Sequence, residues 1–384
     1  MIIEPLAEFL DNKPLFYDEI DYERMPRIYQ KIRSKLPHAK IIHLVGTNGK
    51  GTTGRFLATA LFHKGFSVGH YTSPHILKFN ERIWKNRADV NDKELEAAHK
   101  KLYKLLEKED RGALSYFEYT TLLAIAVFSD CDYIVLEAGL GGEHDATAVF
   151  DKELTLFTPI DFDHQAFLGD SIKSIATTKL NVMSKKAIIG LQKYEEVYSI
   201  AKDIAAKKGT ELFFVKDLDA DNIEKIEMIA DKFELTSYFK ENLALAVSAL
   251  ISLGFDYNAG DFMDARLFGR LSKVASNIYL DVGHNALAAH AIADYFTGKK
   301  VTLIYNTYKD KDFKSILTIL KPIINSVEII DVDEQRIVNK DILLSTLQEL
   351  SIPSKDYGSI DEDTDYLVFG SFSVAETFLK GYVG

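Results

Sequence analysis

Residues 41–54, IIHLVGTNGKGTTG, run an apolar strand directly into a Gly-rich turn that carries a lysine and two threonines. Glycines let a backbone approach phosphate oxygens, successive N–H groups form an anion cradle, and a following helix offers its positive N-terminal end. Phe56, Leu57, Ala60 and Leu61 keep helical spacing beyond the turn, so the segment reads as strand, loop, helix. Lys50 adds a point charge aimed at the outer phosphates. The strict phosphate-loop pattern puts four residues between its first Gly and its Gly-Lys pair. Here only Thr47 and Asn48 separate Gly46 from Gly49, so the loop is a variant. A strand-to-helix turn that merely contains a lysine is the bland alternative.

The same alternation continues along the chain. IIHLVG, FSVGHYTS, CDYIVLEAG, LTLFTPI and KAIIGL read as strands, and stretches such as NDKELEAAHKKLYKLLEKE read as amphipathic helices. That rhythm predicts an α/β fold: a P-loop, nucleotide-binding parallel sheet with helices on both faces and ligands at the carboxyl ends of the strands. After about residue 268 the rhythm restarts with NIYLDVG, KKVTLIYN, SVEIIDV and DYLVFGS, interleaved with helical ALAAHAIADYF and FKSILTILKPI. A smaller Rossmann-like α/β domain is expected there, which divides the chain into residues 1–267 and 268–384. ENLALAVSALISLG is an apolar helix before the junction, and NAGDFMDARLFGR reads as the crossing between domains.

A chain of 384 residues suits two or three domains, and 47% hydrophobic with 27% charged residues is ordinary for a soluble enzyme. The net charge of −11 repels polyanions, so nucleic acid is not an expected partner. The single cysteine, Cys131, leaves no internal disulfide and reads as a buried structural thiol in an apolar run. MIIEPLAEFLDN lacks the basic start and apolar stretch of a signal peptide, and no run reaches membrane-spanning length. A cytoplasmic monomer with no membrane partner is the expectation.

Polar clusters fall where strands end. Thr72-Ser73-Pro74-His75 follows FSVGHY, Glu137-Ala138-Gly139-Leu140-Gly141-Gly142 follows YIVL, and Asp161-Phe162-Asp163-His164 follows LTLFTPI. A hydroxyl, a carboxylate and an imidazole beside a phosphate loop could complete the coordination of magnesium, which commonly takes one or two protein carboxylates plus phosphates and waters. Each also has a structural explanation: a turn or cap for Ser73, a satisfied carboxylate for Glu137, a helix start for His164.

GTNGKGT, YTSPHILKFNERI, SYFEYTTLLAIAVF, YIVLEAGLGGEHDATAVF, DFDHQAFLGDSIKSIATTK, FGRL and LDVGHN occur in the order seen in folylpolyglutamate synthases and dihydrofolate synthases, the folate branch of the ATP-dependent amide ligases. The chain resembles that family from about residue 24 to 376. The resemblance implies that ATP is held by Gly46, Thr47, Asn48, Gly49, Lys50, Gly51 and Thr52, with Asn242, Arg270 and Asp281 as further nucleotide contacts. It implies magnesium on Ser73, Glu137 and His164, and a second domain that closes over ATP. The pterin would meet Tyr116, Phe117, Glu118 and Tyr119, together with His144, Asp145 and Ala146. Read from the residues alone, the stripe from Tyr116 onward is core packing, because apolar residues continue through Leu122, Leu123 and Ile125. His284, with Asn285, would face the reaction centre; a strand-end turn is its plain alternative, as a linker position is for Arg270.

The chain also departs from the family pattern. Glu143-His144-Asp145-Ala146-Thr147-Ala148 stands where relatives commonly carry Arg-Leu-Asp-Ala-Thr-Asn, which reverses a charge beside the folate contact. Lys179 matches a lysine that many relatives carbamylate to hold a second metal ion. Its surroundings Thr178-Lys179-Leu180-Asn181-Val182 differ, so a helix-surface lysine is the other reading. The implied reaction joins glutamate to dihydropteroate, and to reduced folates, through an acyl phosphate made with ATP and magnesium, Lys50, His284 and Lys179 being the groups at the chemistry. A muramyl peptide ligase is one alternative; the FEY and GLGG-x-x-DAT segments and the short length argue against it. A nucleotide-dependent switch is the other, yet Asn339-Lys340-Asp341-Ile342 lacks the final Asp of a guanine-specific motif.

Overall fold

Strand β1 (Lys40–Val45) is apolar along almost its whole length, with only Lys40 exposed. A strand buried on both faces belongs in the middle of a parallel sheet, and β1 lies there, between β5 (Tyr133–Glu137) and β6 (Leu154–Phe157). The computed structural model describes residues 3–14, 21–36 and 38–383; Met1 and Ile2 of the N-terminal segment lie outside these.

The chain forms two compact units, one of residues 1–234 and 239–265, the other of 235–238 and 266–384. The first holds an eight-stranded sheet in the order β4-β3-β2-β5-β1-β6-β7-β8. Its remaining strands are β2 (Val68–Tyr71), β3 (Ile83–Lys85), β4 (Ala88–Asp89), β7 (Lys186–Ile189) and β8 (Glu211–Phe214). Pairing is parallel from β2 to β8, and β3 and β4 add an antiparallel edge. This edge was not read from the sequence, because IWKNRAD is too short and too polar to stand out.

One face of the sheet packs on helices Arg24–Ile32, Asp92–Leu105 and Tyr116–Val127, through Ile28, Leu95, Leu102, Leu122, Leu123 and Leu136. The helix Tyr116–Val127 starts on a capping box: Ser115 Oγ accepts the Glu118 N–H at 3.1 Å, and Glu118 Oε2 accepts the Ser115 N–H at 2.8 Å. Loss of such a cap costs about 1 kcal/mol. Helices Ile172–Leu180 and Glu195–Lys208 bury Ile175, Ala176, Val197 and Ala201 in a second cluster with Val45 and Phe157. Cys131 is buried, and burial pushes its thiol up to about 12, as suits a structural cysteine.

The second unit holds six strands in the order β13-β12-β11-β14-β10-β9. These are β9 (Ser272–Ala275), β10 (Ile278–Asp281), β11 (Val301–Tyr305), β12 (Ile324–Ile329), β13 (Ser354–Asp356) and β14 (Tyr366–Phe369); only β9 runs antiparallel. Leu303, Val327, Leu367 and Phe369 centre its core with Ile316, Leu317 and Leu343 from flanking helices. Part of NAGDFMDARLFGR belongs to the first unit: Asp261 accepts a bond from Lys64 Nζ at 3.1 Å, and the chain leaves that unit after Ala265. Among the described residues no helix is long and apolar enough to cross a membrane.

Candidate active site

The Gly-rich turn leaves β1 and enters the helix Lys50–His63 through Gly49, whose φ of 85° is easily reached only without a side chain. Gly46 touches the neighbouring strand end so closely that a Cβ there would lie 2.0 Å from Thr158 Oγ1. With glycine at the cap no side chain meets the first-turn N–H groups, which an anion can take instead. Thr52 Oγ1, in that first turn, is buried with no hydrogen-bonding partner. An orphaned hydroxyl beside a glycine cradle fits a phosphate and its metal ion.

Two lysines converge on one carbonyl of this loop. Lys50 Nζ donates to Gly46 O at 3.2 Å and Thr47 O at 3.2 Å, and Lys179 Nζ donates to Gly46 O at 2.9 Å. Lys179 is only 3% exposed, so it is no helix-surface lysine. Burial first, and the Lys50 ammonium second, bring its pKa down to about 7, leaving a large neutral fraction at physiological pH. Residue spacing gives no sign of this burial apart from the family resemblance, because helix Ile172–Leu180 turns Lys179 inward only through its packing on the sheet.

Glu137 ends β5, and its Oε1 lies 3.9 Å from Lys50 Nζ. Its Oε2 accepts from the Thr72 hydroxyl and from the Ser73 N–H at 3.4 Å. The fold therefore does bring Ser73, Glu137 and Lys50 together. Glu81 shapes the adjoining loop by accepting the N–H groups of Ile76, Leu77 and Lys78 at 2.7, 2.9 and 2.8 Å, which explains why TSPH and ERI occur as a pair. His164 sits exposed at the left-handed start of the short helix Gln165–Leu168, with Nε2 3.7 Å from Asp163 Oδ2. Among the described residues no three His, Cys, Asp or Glu side chains gather as a metal cage. A magnesium ion that keeps phosphate and water ligands needs no such cage, so one carboxylate and hydroxyls suit it. Asn242 is buried beside the loop's helix, where its Oδ1 accepts from Thr53 Oγ1 at 3.1 Å.

A cavity of about 190 Å³ opens on the same unit, lined by Tyr22, Arg24, Met25, Glu118, His144 and Asp145 among others. Sites that enclose a whole drug-sized ligand span ~300–1,000 Å³, so this one suits a single ring system. Arg24 Nε bonds both Glu118 oxygens, at 3.2 and 3.1 Å, with both side chains nearly buried. Tyr22 packs on His144 at 4.3 Å. Arg24, Tyr22 and Met25 were missed in the sequence, although Met25, Ile28, Tyr29 and Ile32 carry the helical spacing that would have placed them.

Of the aromatic stripe, only Glu118 borders this cavity. Tyr119 is a core residue: it is fully buried and its hydroxyl pairs with His99 Nδ1 at 2.7 Å, so it has no face for a ligand. Phe117 lies against Gly139, where a Cβ would come within 2.6 Å of its ring. Tyr116 is half-buried under the Arg82 guanidinium, 5.4 Å from its ring. Ala146 is buried in the turn after Asp145. Asp145 itself is buried and meets four donors: Thr147 N and Oγ1 on Oδ1, Gly139 N and Leu140 N on Oδ2. Burial pushes its pKa up while these donors hold it down, and burial is the larger effect.

In the second unit, Asp281 is buried at the end of β10 and accepts the N–H groups of Leu271 at 2.8 Å and Gly283 at 2.7 Å. Burial pushes its pKa up, with Arg270 opposing. Arg270 lies over the Phe372 ring at 5.3 Å. His284 Nδ1 is 3.2 Å from Val282 O, and Asn285 caps the helix Ala286–Tyr295.

A variant phosphate loop with a carboxylate at the neighbouring strand end, in a chain that also carries a second α/β unit, is the arrangement of an ATP-dependent ligase. No family model matches the chain. It is 31% identical over 353 residues to the Escherichia coli dihydrofolate synthase/folylpolyglutamate synthase, covering 84% of this chain and 80% of that protein. It is 28% identical over 367 residues to the Haemophilus influenzae protein of the same name, covering 84% and 82%. The crystal structure of Helicobacter pylori folylpolyglutamate synthetase matches with a TM-score of 0.82 at 38% identity over 98% of each chain. That of E. coli FolC in complex with DHPP and ADP matches with a TM-score of 0.82 at 26% identity, covering 99% of this chain and 98% of that one. The chain belongs to the dihydrofolate synthase/folylpolyglutamate synthase family.

Proposed function

We propose that this chain joins glutamate to dihydropteroate and to reduced folates at one site, with the γ-phosphate of ATP on residues 46–52 and the pterin ring in the cavity beside Glu118 and His144. The observation that carries this reading is the loop after β5. It holds Glu137 beside Lys50 at one end and walls the cavity with Glu143, His144 and Asp145 at the other.

A carboxylate is a poor acyl donor because its oxygen leaves badly. Transfer of the γ-phosphoryl group to that oxygen gives an acyl phosphate, and the glutamate amine then attacks the carbonyl carbon and expels phosphate. Lys50 neutralises charge on the phosphoryl oxygens, a positioning and electrostatic task with little covalent chemistry for the protein. Magnesium, held by Ser73, Glu137 and His164, would supply further neutralisation of the same oxygens. The neutral fraction of Lys179 is the form able to take up carbon dioxide, so the carbamate seen in many relatives suits this lysine. If so, activity lost in Lys179→Ala returns in part with short carboxylates; full activity of that variant without them rejects the role. The resemblance assigns Asn242, Arg270 and Asp281 to the nucleotide and His284 to the reaction centre; alanine replacements that leave the KM for ATP and kcat unchanged reject those assignments. The division at about residue 267 makes the first unit the nucleotide and pterin domain and the second the glutamate-ligase domain.

Release of ADP with dihydropteroate and glutamate, each omitted in turn, tests the whole reading. Turnover must need both; turnover without either acceptor, or none with both, overturns it. Size-exclusion chromatography tests the monomer.

A further inference from the structure

The central strand β1 carries a histidine that the reaction does not use. His43 is fully buried, three residues before Gly46, and its Nε2 lies 2.7 Å from Thr147 Oγ1. Thr147 spends its only hydroxyl proton on Asp145 Oδ1, at 2.5 Å. Its oxygen must therefore accept from the imidazole, which fixes the Nε2–H tautomer of His43. Nδ1 is then a bare acceptor, and it is buried with no partner. Burial, helped by Lys152, holds the imidazole pKa well below its ordinary value, so the ring is neutral.

Past Asp145 the line of bonds continues into the loop after β5. Asp145 Oδ2 accepts the N–H groups of Gly139 at 3.0 Å and Leu140 at 2.9 Å, while Oδ1 also accepts the Thr147 N–H at 2.9 Å. The same loop presents Glu143 and His144 to the cavity. A leucine at position 43 would pack in the strand without leaving a buried acceptor unpaired, so the imidazole carries a desolvation cost that packing does not explain. What it adds is direction: with the imidazole N–H bonded to its oxygen, Thr147 Oγ1 is held between His43 and Asp145, and its one proton goes to Asp145.

We propose that His43 is a positioning residue for the acceptor substrate, acting through Thr147 and Asp145 to hold the loop Ala138–His144 in the course that walls the cavity. This rests on the proposed use of the cavity for the pterin.

The test compares His43→Leu with His43→Gln, whose amide N–H can replace the lost donor, and Thr147→Val with Thr147→Ser. In His43→Leu and Thr147→Val the KM for dihydropteroate should rise about tenfold, the size of one lost hydrogen bond in a buried network, with the KM for ATP and kcat unchanged. The glutamine and serine variants should return to within about threefold of wild type. Nitrogen-15 spectra of the wild type should show a neutral Nε2–H imidazole from pH 5.5 to 8.5 that disappears in His43→Gln, while the signal of His70, also buried with Arg55 Nε donating to its Nδ1 at 3.4 Å, persists in both; this requires no folded leucine variant. A dihydropteroate KM that stays put, parallel rises for ATP and dihydropteroate, glutamine no better than leucine, or an Nδ1–H tautomer would each overturn the proposal. A wild-type protein inactive on dihydropteroate but carrying the Nε2–H tautomer would instead reject the use of the cavity and leave the network standing.

Discussion

The phosphate loop and the cavity beside Glu118 belong to the same unit, yet they are assembled from opposite kinds of sequence. The loop is one contiguous segment, and its glycines and lysine act where they stand in the chain. The cavity is built from three separated stretches, the helix Arg24–Ile32, the start of the helix Tyr116–Val127 and the turn Glu143–Val149, and its central ion pair joins residues 94 positions apart. The glycine at the loop's helix start leaves it without a capping side chain, whereas Asp145 and Glu118 at the cavity already have protein partners. Damage to the loop should therefore remove catalysis with every acceptor, and damage to the cavity should change which acceptor is used.

The largest effect is expected from Lys50→Ala and Glu137→Ala. Each should lower kcat by about a thousandfold or more on dihydropteroate and on a reduced folate alike, as loss of a preorganised charge does, with the circular dichroism and melting temperature near wild type. Near-normal turnover at saturating magnesium in either variant would remove the phosphate loop from the chemistry.

Next comes the pH dependence set by Lys179. Its folded pKa, about 7, lies below the ordinary 10.5. Between those values the unfolded chain binds more protons than the native one, so this lysine makes native stability rise with pH through that window. Lys179→Met abolishes that slope. In urea melts in buffers free of carbon dioxide, the methionine variant should gain most over wild type below pH 7, and the gain should shrink toward pH 10. An equal gain at both ends would mean that the amine is not held neutral.

On the cavity side, Arg24→Ala leaves Glu118 as a nearly buried carboxylate without its guanidinium. Stability should fall by about 3 kcal/mol, the usual cost of breaking a buried pair from one side. Adding Glu118→Gln should recover part of the loss. The dihydropteroate KM should rise with little change for ATP; equal changes for both would erase the contrast between loop and cavity.

Smaller effects sharpen the contrast. Ser73→Ala should cost about tenfold in kcat, because water can take over a neutral oxygen position on magnesium; a loss as deep as that of Glu137→Ala would add a structural task to the hydroxyl. Glu143 stands exposed at the cavity wall and accepts from Asn181 Nδ2 at 2.8 Å. Its negative charge should make dihydropteroate the better acceptor and a folate already bearing glutamate the weaker one. Glu143→Arg should shift the ratio of their kcat/KM values about threefold toward the folate, the scale of an exposed charge contact. A strict preference for the folate that this substitution leaves unchanged would overturn the ranking and its electrostatic cause.

Local reading went furthest where one short segment contains both its structure and its chemistry. IIHLVG followed by TNGKGT names a buried strand, an anion-binding turn and a helix start, and the strand ends at Ser73 and Glu137 follow from the same alternation. It went least far for side chains whose fate depends on what packs over them. Tyr119 continues an aromatic stripe toward a ligand on paper, but the helix Tyr116–Val127 turns it into the core against Phe9 and His99. Arg24 looks like a solvated charge in sequence, and so does Lys179 apart from the family resemblance; both are buried.

By itself, then, the sequence determined the α/β alternation, the phosphate loop, the carboxylate beside it and membership of the folate ligases, because each is written in neighbouring residues that need only the backbone to align them. Tertiary structure alone decided that two lysines share the Gly46 carbonyl, that Arg24 closes on Glu118, and that His43 reaches Asp145 through Thr147. The physical reason is that burial and hydrogen-bond pairing set a side chain's charge, tautomer and direction, and those partners arrive from distant parts of the chain only when the sheet and its helices have closed over them.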